Sequence, residues 1–167
     1  MRTFRFGHRL LAVLAVALLA ACIHKQPVEA PVSFTLHVQA TSDINPDSNG
    51  RASPVVVRVY QLRSGNAFQA AEFFAIYDHD KQTLAADLMA SNEYVLKPGE
   101  ALDLVLKAEK DTHTIGVLAA FRDLRNSQWH SSYDWVQPGK KPPRPASDLQ
   151  LLVSRDSVTI GPGGKAH

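Results

Sequence analysis

The segment VSFTLHVQA, residues 32–40, changes side at every residue. Val32, Phe34, Leu36, Val38 and Ala40 fall on one side, and Ser33, Thr35, His37 and Gln39 on the other. A helix, with a period of 3.6, would scatter this apolar set around its axis, whereas a strand sorts it completely. A chain with such a strand owns an apolar sheet face, and a second layer must cover it. PVVVRVYQLR, residues 54–63, supplies another strand, rich in β-branched residues. Pro54 stands at its start, where a missing N–H is tolerated.

More strands follow. EYVLKPGEALDLVLK (93–107) reads as a short strand, a KPGE turn and a longer strand, with Leu102, Leu104 and Leu106 on one face. HTIGVLAAFRD (113–123) is almost continuously apolar, as a central strand covered on both faces would be. SQWHSSYDWV (127–136) places Trp129, Tyr133 and Trp135 on one strand face. DLQLLVSRDSVTI (148–160) reads as a hairpin about Ser154-Arg155-Asp156. Only residues 65–90 break the pattern. There Phe68, Ala71, Phe74 and Tyr77 recur at helical spacing, Asn66 is placed to cap, and a second helix is expected from Asp80 to Leu88. The expectation is a mainly β protein: an antiparallel β-sandwich of seven or eight strands, with a short helical insertion between the second and third.

The N-terminus is of another kind. Arg2, Arg5 and Arg9 precede an apolar run from Leu10 to Ala21, the layout of a secretory signal peptide. The run is too short to span a bilayer comfortably, which takes about 20 residues. It ends in Leu19-Ala20-Ala21-Cys22, a tetrad that resembles the bacterial lipobox, and Cys22 is the sole cysteine. A lone cysteine has no intramolecular disulfide partner. The resemblance implies cleavage before Cys22 and a covalent lipid on its thiol. With Ile23 next rather than aspartate, it also implies sorting to the inner leaflet of the outer membrane, facing the periplasm. Acyl chains contribute ~0.8 kcal/mol per buried CH₂, so several make anchorage effectively permanent. Residues 1–21 are therefore expected to be removed, and 22–31 to form a lipidated tether. The domain is expected over 32–160, with 161–167 as a flexible tail. The precursor carries a net charge of +2 and a pI near 8.8. Loss of three arginines leaves fifteen basic against sixteen acidic residues, so a nucleic-acid partner loses its electrostatic basis.

No motif of covalent or metal-assisted catalysis is present. Asp78-His79-Asp80 has ligand-type side chains, but adjacent residues diverge, and the triplet reads more simply as a polar break between helices. His113 and His130 mark no activated serine. Trp129, Tyr133 and Trp135 offer a sugar-stacking surface or a piece of core, and GKKPPRP (139–145) a basic contact or a solvated polyproline loop. Neither a metal nor a cofactor is expected.

The connection between the first two strands is long. Loops joining adjacent strands usually take ~2–5 residues, and longer ones are often functional. Asn45-Pro46-Asp47 and Asn49-Gly50 are turn signals that would make this one compact. NPDSNGRASPVVVRVYQL (45–62) resembles the signature of the TssJ family, outer-membrane lipoproteins of the type VI secretion system. Asn45, Gly50, Arg51, Ser53, Pro54, Val55, Val57, Arg58, Tyr60, Gln61 and Leu62 carry the likeness, and Ala52 replaces the family's usual proline. FQAAEFFAIYDHD, TLAADL, LKPGE, GVLAAFRDL and Trp129 follow in family order. The resemblance implies a transthyretin-like sandwich without catalytic activity. It also implies a complex that includes TssL, in which the lipoprotein binds the periplasmic C-terminal region of TssM, an inner-membrane protein. By position, the contact loop is Thr41, Ser42, Asp43, Ile44, Asn45, Pro46, Asp47, Ser48, Asn49, Gly50, Arg51, Ala52 and Ser53. Asn45, Asp47 and Arg51 are its expected polar contacts. The alternative is a periplasm-facing lipoprotein that binds a ligand or peptidoglycan on the same sandwich.

Overall fold

A computed structural model describes residues 32–135 and 148–163. Eight strands form two four-stranded sheets. One has the order β4-β1-β7-β8 and the other β3-β2-β5-β6. The strands are β1 (Ser33–Ala40), β2 (Val55–Leu62), β3 (Leu88–Leu96), β4 (Ala101–Lys107), β5 (Thr114–Ala119), β6 (His130–Asp134), β7 (Asp148–Val153) and β8 (Val158–Pro162). Pairing is antiparallel except between β1 and β7, which run parallel. The sandwich and its strand content match the expectation from alternation.

The alternating residues of β1 do what their spacing requires. Phe34, Leu36, Val38 and Ala40 are buried, and they meet Val55, Val57 and Val59 of β2 across the space between the sheets. Leu149, Leu151 and Val153 of β7 complete this core. All six residues of β5 are buried, because β5 is covered on both faces, by the other sheet and by the helical insertion. Gly116 makes the second covering possible. A Cβ there would lie 3.1 Å from both Leu62 and the Phe68 ring.

The insertion lies between β2 and β3 as expected, but its interior differs. Helix α1 (Asn66–Ala70) and helix α2 (Phe73–Leu84) are separated at Ala71 and Glu72, whose ψ angles of 150° and 153° are extended. Phe68, Ala71, Phe74 and Tyr77 therefore do not share one helical face. Phe68, Phe73 and Ile76 are buried, while Phe74 is 63% exposed. Asn66 does not cap α1, whose N-cap is Gly65 without a side-chain bond. The expected second helix from Asp80 to Leu88 is not a separate element. Helix α2 continues through a bend at His79 (φ −136°, ψ 38°), and Asp80 Oδ1 accepts the Lys81 N–H at 2.7 Å. A 3₁₀ turn, Ala85–Asp87, ends the insertion, and residues 88–90 already belong to β3. Pairing with β2 drives that early start, since Leu88 sits opposite Leu62 past a register shift.

Two further expectations are corrected. Gly161 and Pro162 close β8 against β7 and are not tail. Trp129 and Trp135 diverge rather than share a face. Trp135 is 1% exposed in the inter-sheet core, 5.2 Å from the Phe34 ring, while Trp129 packs edge-on against Phe73 at 5.4 Å. A three-ring stacking platform therefore does not form. The GKKPPRP segment, the tether and Cys22 lie outside the described residues.

The signature β2 strand holds the layers together through its polar side chains. Arg58 reaches outward to the insertion, and its Nη1 donates to the Tyr77 carbonyl oxygen at 2.6 Å. Its Nε donates to Glu93 Oε2 of β3, also at 2.6 Å, and its guanidinium lies over the Tyr77 ring at 4.5 Å. Gln61 is buried. It donates to the Lys107 carbonyl oxygen at 2.8 Å and accepts from the Glu109 N–H at 2.8 Å and the Thr112 hydroxyl at 3.2 Å.

Candidate partner-binding surface

Strand register places four connections at one end of the sandwich. They are the β1–β2 loop (41–54), the β3–β4 turn (97–100), the β5–β6 connection (120–129) and the β7–β8 turn (154–157). Backbone hydrogen bonds join them. Thr41 N–H donates to Val153 O, Gly99 N–H to Thr41 O, Ala120 N–H to Val56 O, and Gln128 N–H to Asp156 O. Val32, the first described residue, sits at the other end, its carbonyl oxygen bonded to the Ala108 N–H. Eight strand residues separate these ends within β1, roughly 26 Å at about 3.3 Å per residue.

The β1–β2 loop is built in two parts. Ile44 and Asn45 form its root and are buried at 0% and 5% exposure. Ile44 joins the core. Asn45 adopts φ 46°, a left-handed conformation that asparagine tolerates better than most residues. Its bonds tie three segments together: its N–H donates to Arg155 O at 2.9 Å, its Nδ2 to Pro54 O at 2.7 Å, and its Oδ1 accepts the Arg122 N–H at 2.8 Å.

The loop's tip is organised by Asp47. Its Oδ1 accepts the N–H groups of Asn49 and Arg51 at 2.9 and 3.0 Å, and its Oδ2 receives Nη2 of Arg51 at 3.0 Å. Gly50, at φ 76°, supplies the left-handed residue that this turn requires. The Arg51 backbone N–H is the leading cause that holds the Asp47 carboxyl below its ordinary value of 3.8. The Asn49 N–H and the Arg51 charge add to it, and desolvation opposes them. At the loop's start, the Thr41 hydroxyl donates to Asp43 Oδ1 at 2.6 Å. Near its end Ser53, itself buried, donates its hydroxyl to Arg51 O at 3.3 Å and its N–H to Ile44 O at 3.1 Å. The result is a rigid loop presenting a small polar crown. Ser42, Asp43, Ser48, Asn49, Gly50 and Arg51 are exposed, while Pro46 and Ala52 are half-buried.

The three expected polar contacts therefore divide. Asn45 is buried and fully bonded, so its side chain does not reach a partner. Asp47 is committed to its own loop, with its side chain 15% exposed. Arg51, with its side chain 82% exposed, is the one of the three that faces outward.

Residues from distant segments also reach this end. A cleft of about 520 Å³ opens between residues 45–48, residues 121–123 with Asn126, and Arg155 with Asp156. Its floor is Phe121, 5% exposed. Neither alternation nor turn residues point to Arg122, Asn126 or Arg155, since each is an ordinary loop residue until the strands pair. Among the described residues no cluster of three His, Cys, Asp or Glu has metal-binding geometry. His130 lies against the Phe68 and Trp129 rings, where burial pushes its pKa down. His113 is exposed and its Nδ1 is bonded to Arg63 O at 3.1 Å, with no serine or carboxylate bonded to its ring among the described residues.

Comparison with known proteins gives a consistent result. Residues 32–164 match the family described as type VI secretion lipoprotein, VasD, EvfM, TssJ. The crystal structure of the type VI secretion lipoprotein TssJ1 from Pseudomonas aeruginosa is 28% identical, with a TM-score of 0.72, covering 82% of this chain and all of that one. A chain of a structure described as a type VI membrane complex is 25% identical, with a TM-score of 0.66, covering 80% of this chain and all of that one. A chain of a structure described as the TssM C-terminal domain (869–1107) from EAEC shares the fold at a TM-score of 0.60 and 24% identity, covering 78% of this chain and 98% of that one. A search of curated proteins finds no match to the sequence.

Proposed function

The chain belongs to the type VI secretion lipoprotein family, a structural component of a secretion machine and not an enzyme, and from that membership we propose that it anchors the trans-envelope complex to the outer membrane by binding the periplasmic C-terminal region of TssM. Cys22, by its lipobox, carries the lipid, and the domain faces the periplasm from the inner leaflet. TssL, through TssM, belongs to the same complex. Thr41 to Ser53 form the contact loop.

The observation that carries this reading is the construction of that loop. A long connection between strands is locked by a buried asparagine and a salt-bridged turn, yet the exposed side chains of Ser42, Ser48 and Asn49 in its crown make no hydrogen bond among the described residues. Such preorganisation reduces the ordering cost of association. Position supports it as well. The loop lies at the end of the sandwich opposite Val32, the first described residue. Structures described as a type VI membrane complex and a TssM C-terminal domain contain chains of this fold, which favours a partner of that kind.

The test is co-purification of the full lipoprotein with the periplasmic C-terminal region of TssM from detergent extracts. The wild-type chain is expected to retain TssM. A variant with residues 43–51 replaced by a short Gly-Ser turn is expected to lose it while keeping its β-sheet circular dichroism. Full retention by that variant would remove the loop from the interface.

A further inference from the structure

The β1–β2 loop does not present its crown alone. One wall of the 520 Å³ cleft comes from this loop, the second from the β5–β6 connection and the third from the β7–β8 turn. Asn45 fixes all three walls, because its backbone and side chain bond to Arg155, Pro54 and Arg122.

Arg122 is the unusual member. Its backbone is pinned by Asn45 Oδ1 at 2.8 Å, while its guanidinium has no hydrogen bond or ion pair among the described residues. Arg155, across the cleft, has only a 3.9 Å contact with Asp43. Arg51, by contrast, is already engaged with Asp47 at 3.0 Å. An arginine that is placed but unpaired keeps its planar fork for an incoming carboxylate, and no internal ion pair must break first. Three acids line the cleft with the two arginines, and two of them are partly spent: Asp47 is held by Arg51 and two N–H groups, and Asp123 accepts from the Asn126 amide at 2.7 Å, while Asp156 is exposed. The lining is polar around one aromatic floor residue, which suits an extended acidic peptide better than an apolar helix.

We propose that this three-loop cleft, rather than the β1–β2 loop alone, is the docking site, and that Arg122 and Arg155 take a carboxylate-bearing segment of the periplasmic region of TssM. Asn45 is its positioning residue. The inference rests on the reading of Thr41 to Ser53 as the contact loop.

The experiment titrates the periplasmic C-terminal region of TssM into the full lipidated chain in detergent micelles, at several salt concentrations. Arg122→Ala and Arg155→Ala are compared singly and together, with Arg125→Ala as a control on the same connection but outside the cleft. All three arginines are exposed, so unchanged thermal midpoints are expected. Arg122→Ala is expected to weaken binding at least about tenfold, the loss of one charge-assisted pair, and to flatten the salt dependence. Arg125→Ala is expected to bind as wild type. Wild-type affinity in the double variant, alongside loss of binding on replacement of 43–51, would overturn the cleft and leave the loop reading intact. Equal losses from Arg122→Ala and Arg125→Ala would also overturn it, since charge at large rather than the cleft would then be responsible. Absence of binding by the wild-type chain would overturn both readings.

Discussion

At the scale of residues, Asn45 shows how one polar side chain becomes structural. Buried polar groups are tolerated when bonded, and here every polar atom of the side chain has work inside the fold. Replacement by alanine leaves the Arg122 N–H without its acceptor and the Pro54 carbonyl without its donor. It also puts a Cβ-bearing residue without asparagine's tolerance at φ 46°. Asn45→Ala is expected to destabilise the domain by ~1–3 kcal/mol, measured by urea unfolding, and to raise amide exchange at residues 41–53 and 120–129 together. Unchanged exchange in the second segment would show that Asn45 does not couple the loops. The sequence marks Asn45 as a turn residue, and its likeness to a family motif marks it as important. Neither separates a side chain that faces a partner from one that faces inward. That distinction depends on the Arg122 backbone, 77 positions away.

At the scale of elements, β2 illustrates where alternation informs and where it stops. Val55, Val57 and Val59 face the inter-sheet core as their period demands. Tyr60 and Leu62 are also buried, against the second cluster formed by Phe68, Phe73, Ile76 and Leu84. Each fully buried side chain of this size contributes ~1.5–3 kcal/mol. Arg58 fastens that cluster from its edge by its bonds to the Tyr77 carbonyl and to Glu93. Burial works against its charge and the Glu93 carboxylate favours it, with the balance raising its pKa above the ordinary value. Glu93 is half exposed, so solvent screening limits the pair. Arg58→Ala is expected to cost about 1–2 kcal/mol and to release α2 preferentially. Limited proteolysis within 71–87 at unchanged β-sheet content would register this, whereas unaltered cleavage would exclude a fastening role. The existence of a helical insertion was legible from the change in period at 65–90. Its break at Ala71-Glu72 was not, because FQAAEFFAIY satisfies helical spacing in two registers and only packing against Trp129 and the second cluster selects Phe73 over Phe74. The parallel pairing of β1 with β7 was equally hidden, since alternation reports which face of a strand is apolar and says nothing about its neighbour.

At the scale of the whole molecule, the order of the strands puts Val32 and the β1–β2 loop at opposite ends of β1. The chain enters β1 at Ser33 and leaves it at Ala40 for the candidate loop, so a load applied between Val32 and the loop would run along the length of β1. That strand is central in its sheet, hydrogen-bonded to β4 on one side and β7 on the other. A pull along a centrally paired strand must shear both ladders at once, a sound arrangement for an anchor. The sandwich and the long first loop were readable before folding. The second and third walls of the cleft were not, because they meet the first only through tertiary pairing.

In the proposed role one chain joins a membrane to TssM. That role is tested most directly by flotation of phospholipid vesicles bearing the full lipoprotein, mixed with the soluble periplasmic C-terminal region of TssM. TssM is expected to float with vesicles carrying the wild-type chain. It is expected to stay at the bottom when Cys22 is replaced by serine or residues 43–51 are replaced by a Gly-Ser turn. Flotation of TssM with the loop variant, or its failure to float with the wild-type chain, would contradict the proposed role.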